Sequence, residues 1–145
     1  MTTTARPAAT GHPVYSETYP SVAGTAAVAR RLVRDALGTW HLDHLADAGE
    51  LIASELVANA VCHAGGRSIR LAVSRPSARL VRIAVVDRSP ARLPSMHVPE
   101  YGAEHGRGLL LVDAFADQWG CDVLGSHALR GPYAKRVWAE MRVGA

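Results

Sequence analysis

Residues 55–63 read Glu-Leu-Val-Ala-Asn-Ala-Val-Cys-His, and the rest of the chain is organised around them. Glu55 and Asn59 are four apart, so on a helix they stack along one face, and His63 continues the row. A carboxylate, an amide and an imidazole then form a polar ridge on a helix otherwise rich in Leu, Val and Ala. Each residue alone has a bland reading: a helical Glu is usually solvated, an Asn is often a surface residue, and a His is more often structural than catalytic. Helical spacing carries the pattern back to Asp43 through Leu45, Ala48, Ile52, Leu56 and Ala60, and Gly65-Gly66 stop it.

On the N-terminal side, Ser21 is predicted to cap a helix through Leu37 with an apolar stripe of Val22, Ala26, Ala29, Val33 and Leu37, ended by Gly38. Before it, His12 to Tyr19 alternates as a first strand does. Residues 1–12 are mostly Thr, Ala, Pro and Gly and are expected to be a disordered tail, leaving 13–145 as one domain. On the C-terminal side, Ser68–Ser74 and Leu80–Val86 are two strands separated by turn chemistry. The second strand runs straight into Asp87. The stretch from Arg88 to His105 contains Pro90, Pro94 and Pro99 and has no period; loops of that length in compact domains are often lids or binding loops. Gly106-Arg107-Gly108 opens an apolar helix, Leu109 to Phe115, and Asp117–Leu124 and Tyr133–Val143 are closing strands. The order β-α-α-β-β-lid-α-β-β predicts an α+β two-layer sandwich, a mostly antiparallel mixed sheet with helices on one face.

With 145 residues, 48% hydrophobic and 20% charged, the chain has the composition of one globular domain rather than of a disordered segment. Charges interrupt every apolar stretch before the ~18–20 residues a membrane span needs, and no secretory h-region opens the chain, so the expectation is a cytoplasmic protein with no membrane partner. The net charge is +3, but fifteen of the sixteen basic residues are Arg scattered along the chain, and no face is marked for nucleic acid. Cys62 and Cys121 are expected to be buried thiols, and Trp119 and Trp138 core residues, with Trp40 either core or interface.

Two further features carry chemistry. A carboxylate at the end of a buried strand, as at Asp87, can accept a hydrogen bond from an exocyclic amine such as adenine's, although a plain Asx-turn is the bland alternative. Gly106 and Gly108 let backbone approach a phosphate at a helix N-terminus, where unpaired N–H groups and the helix dipole favour an anion.

In combination and in this order, these pieces resemble the ATP-binding domain of the gyrase, histidine-kinase and MutL superfamily, the Bergerat-type ATP-binding fold. More narrowly, ELVANAVCHA, VVDRSP, EHGRGLLLVDAFADQWG and AKRVWAEM resemble the anti-sigma-factor serine/threonine kinases, especially their small actinobacterial relatives, over about residues 14–143. The resemblance implies ATP and Mg²⁺ as cofactors, with Asn59 holding the metal through its side-chain oxygen and Glu55 as general base. It makes Asp87 the adenine-reading carboxylate, and Gly106, Arg107, Gly108 and Leu109 the phosphate-side loop and helix start. His63 matches a position lining the nucleotide pocket. The implied partners are a sigma factor and an anti-anti-sigma antagonist phosphorylated on Ser or Thr, with self-association as a homodimer. Three departures stand out: Cys62 where relatives carry Arg or Lys, no glycines after Asp87, and Ala134 and Arg136 where a Gly-Lys-Thr-Val-Trp pattern has Gly and Thr. Arg136 is expected beside Asp87. These departures favour a second reading, a partner-binding module with little or no catalysis; a stand-alone ATPase or nucleotide sensor is the third.

Overall fold

Strand alternation builds the sheet, and one parity of residue numbers sets its inner face. In a computed structural model, which describes residues 3–8, 11–63, 68–88, 107–125 and 134–144, strands run Thr4–Arg6 (β1), Val14–Tyr19 (β2), Ile69–Ser77 (β3), Leu80–Asp87 (β4), Gln118–Leu124 (β5) and Ala134–Arg142 (β6). They form one six-stranded sheet in the order β1-β2-β3-β4-β6-β5. Each described pairing is antiparallel, so the mixed sheet expected from sequence is antiparallel throughout these residues. Directly opposed residues share a face: Leu71 meets Val85, Ile83 meets Ala139, and Val85 meets Val137. These odd-numbered side chains, with Ile69, Val73, Val81 and Met141, are all buried.

Helices Thr25–Thr39 (α1), Ala46–His63 (α2) and Arg107–Phe115 (α3) supply the other half of the core through Ala29, Val33, Leu37, Ile52, Leu56, Val57 and Val112. Fully burying each such Val, Leu or Ile stabilises the fold by roughly 1.5–3 kcal/mol. Helix α2 packs on β4 and β6, with α1 and α3 both against it. Gly49 marks the close approach of α1 to α2, since a Cβ there would meet Leu37 Cδ1 and Val33 Cγ1 at 3.0 Å.

Several local expectations change. Ser21 does not cap α1: the helix starts at Thr25 behind Gly24, Thr25 Oγ1 donates to the Pro20 carbonyl at 2.6 Å, and Val22 is 51% exposed. Gly38 does not end α1 either. His41 takes the left-handed conformation (φ 59°), and Leu42 N–H donates to Leu37 O and His41 N–H to Gly38 O, a Schellman arrangement. Part of the expected tail is a strand, because Thr4, Ala5 and Arg6 pair with Ser16, Tyr15 and Val14. Strand β3 extends through Pro76, which is tolerated because it lies past the end of the β2 ladder and within a register shift between Ser74 and Ser77. The stretch from Ser89 to Gly106, with its lid reading, and the start of the last strand at Tyr133 lie outside the described residues.

Candidate functional site

The two sides of α2 are told apart by what they touch. From α1, Arg30 Nη1 donates to Ser54 Oγ at 2.8 Å, and Arg34 donates to Glu50. With 3.6 residues per turn, Glu55 and Asn59 fall on the side of α2 turned away from α1, flanking the buried Ile52 and Leu56. Both are half-buried. Burial raises the Glu55 carboxyl above its ordinary value of 4.5, because the charged form loses hydration. A carboxylate so placed is a better proton acceptor than a solvated one. Asn59 Nδ2 is buried without a hydrogen-bond partner. A buried amide donor left unsatisfied is destabilising, and it suits a site that receives acceptor oxygens. The amide oxygen is a hard ligand of the kind a Mg²⁺ ion takes alongside phosphate oxygens. Together the two residues fit a metal-bound triphosphate.

His63 is the last residue of α2. Arg107 and Gly108 are the first two residues of α3, the end of a helix at which backbone N–H groups have no intrahelical acceptor, and Leu109 and Val112 anchor that helix in the core. Gly106 lies outside the described residues.

Asp87 ends β4 on the inner face, directly opposite Lys135 of β6. Their side chains are 0% exposed, and Lys135 Nζ lies 3.7 Å from Asp87 Oδ2. The neighbour expected there, Arg136, is instead on the outer face, where its Nη2 donates to Asp122 Oδ2 of β5 at 2.8 Å. The parity that buries Val137, Ala139 and Met141 also turns Lys135 inward and Arg136 outward. Lys135 is thus the site residue that sequence reasoning missed, although that parity was its signal. Cys121 of β5 shares the inner face with this pair; burial raises its thiol pKa, partly opposed by Lys135.

The thiols depart from expectation, since Cys62 is exposed and Cys121 only partly covered. Trp138 is not a core residue: it lies half-buried on the outer face over Gly120, where a Cβ would come within 2.7 Å of its ring, and Arg82 stacks 5.2 Å from the ring centroid. Trp119 is half-buried against the core, and Trp40 is buried. A hollow of about 720 Å³ opens at the opposite end of the sheet, between Arg79, Leu80, Gln118 and Arg142, and contains none of the candidate residues.

A six-stranded antiparallel sheet covered on one face by helices, with a Glu/Asn ridge on the central helix and a buried strand-end carboxylate, is consistent with an ATP-binding class of domain. The family model of the histidine kinase-like ATPase domain matches residues 19–126, and the chain belongs to that family. No curated protein matches it. No helix among the described residues is long and apolar enough to cross a membrane.

Proposed function

We propose that this protein is a Mg²⁺·ATP-dependent serine/threonine kinase that doubles as an anti-sigma factor, with an anti-anti-sigma antagonist as its phosphoryl acceptor. The observation that carries the reading is the α2 ridge, where a desolvated Glu55 and an unsatisfied Asn59 amide stand on one side of one helix. Glu55 accepts the proton of the acceptor Ser or Thr hydroxyl as its oxygen bonds to the γ-phosphorus and the bond to the bridging oxygen breaks, releasing ADP. Asn59 binds on the phosphate side, the α3 N-terminus receives phosphate charge, and Asp87 accepts from the base. Bound Mg²⁺ would supply charge neutralisation at the phosphates. The phosphate placed on the antagonist adds about −1.5 to −2 charge, enough to break an interface set against acidic groups.

Titration with ATP, with and without Mg²⁺, tests the site, with Asn59→Ala as control. Mg²⁺-dependent binding that the variant loses is expected. Binding absent up to millimolar ATP would leave the second reading, a partner-binding module on this fold, which the buried Lys135 against Asp87 favours. Phosphoryl transfer to a genuine acceptor that is unchanged in Glu55→Ala would remove the general-base role.

A further inference from the structure

The hollow at the far end of the sheet, about 720 Å³, falls within the roughly 300–1,000 Å³ that small-ligand pockets span. Strand register builds it. Leu80 lies directly opposite Arg142, and Glu140 lies between Arg82 of β4 and Gln118 of β5, so these side chains share the outer face. The turn between β3 and β4 adds Ser77 and Arg79. Val143 N–H donates to the Arg79 carbonyl at 2.8 Å, which holds that turn against the end of β6.

In this lining the carboxylates are engaged and the cations are not. Glu140, nine-tenths buried, accepts from Arg82 Nε at 3.0 Å and Nη2 at 2.8 Å, and Asp117 Oδ2 accepts from Arg142 N–H at 2.6 Å. Arg79 and Arg142 use their backbone N–H groups, to Ser77 Oγ and Asp117, while their exposed guanidiniums have no partner among the described residues. Ser77 keeps its hydroxyl proton to donate, and Leu80 and Val143 supply apolar surface. With Arg82, three guanidiniums stand against two carboxylates.

We propose that this hollow binds a small organic phosphate monoester, with the phosphate against Arg79 and Arg142 and the organic body against Leu80 and Val143. A planar guanidinium fork matches phosphate oxygens in pairs, and a dianion balances the two unpartnered cations. The site stands apart from the α2 ridge and does not rest on the nucleotide reading.

Phenyl phosphate is the probe, followed by amide NMR on the full chain, with benzyl alcohol as the uncharged control. Saturable shifts are expected at Arg79, Leu80, Gln118 and Arg142, with a Kd of about 1 mM or tighter. Benzyl alcohol should not saturate. Arg79→Gln and Arg142→Gln alter exposed side chains outside the core, and each should weaken binding by about tenfold or more. Asp117→Asn removes a like charge and should tighten it. Absence of saturable shifts, shifts unmoved by both Gln variants, or equal binding of benzyl alcohol overturns the proposal. So do shifts confined to α2 and α3, which would place the probe at the candidate nucleotide site instead.

Discussion

The sheet buries a cation at each end, and the two are held by different physics. At the site end, Lys135 has a carboxylate opposite it in register. At the far end, Arg75 of β3 is 9% exposed and, among the described residues, pairs with no carboxylate. Its Nη2 donates to the Ala78 carbonyl at 2.7 Å, its Nε has no partner, and its guanidinium stacks 5.9 Å from the Trp40 ring centroid. Trp40 in turn is flanked by His12 and Tyr15, at centroid distances of 6.2 and 5.7 Å. A charge held by an opposite charge depends on both members; one held by aromatic packing depends on shape. The first arrangement lies at the candidate-site end of the sheet, the second at the far end against Trp40.

Removing one member at each end sharpens the contrast. Lys135→Met removes the cation opposite the buried Asp87 carboxylate and should destabilise the protein by about 3–5 kcal/mol in urea unfolding. Asp87→Asn combined with Lys135→Met should recover most of that loss, and failure to recover would mean that Lys135 acts through packing instead. Arg75→Met leaves no opposite charge behind, so its effect should stay within about 1 kcal/mol, with a changed Trp40 emission. A loss as large as that of Lys135→Met would break the comparison.

A pH-shaped effect comes next. The folded-state pKa of Glu55 is raised by burial, so the native state holds more protons than the unfolded state from pH 4.5 upward to the raised value. Stability from this group therefore falls as pH rises through that window. Glu55→Gln should flatten the slope and raise Tm more at pH 8 than at pH 4. The smallest change is expected for Glu50→Gln. Its carboxyl is held below the ordinary value by a hydrogen bond from Arg34, an exposed pairing whose contribution to Tm should vanish in high salt.

Most of the fold was legible because periodicity reports burial, and burial is what the elements of this sheet share. Leu71, Val73, Ile83 and Val85 alternate, Ile52, Leu56 and Ala60 recur at helical spacing, and all are buried. What escaped were features fixed by backbone rather than by side-chain pattern. The start of α1 lies behind Gly24 with no side-chain cap, its end is set by a left-handed His41, and β1 by pairing with β2. In the site, Glu55, Asn59 and Asp87 were legible as residue types at suggestive places. The partner of Asp87 was not, because a family pattern counted along the chain directed attention to Arg136 while strand parity directs Lys135 inward.

One small element has an outsized bearing on association. Strand β1 is three residues long and exposed throughout, yet it occupies the edge of β2, and Thr3 beside it donates to Glu17 at 2.7 Å. A protease cut after Arg6 would strip that cover and turn the outer side of β2 into a row of open backbone donors and acceptors, the surface on which strands of separate molecules join. Residues 3–6 thus work as a stopper on the sheet, and whether they are present sets how readily one copy can be extended by another.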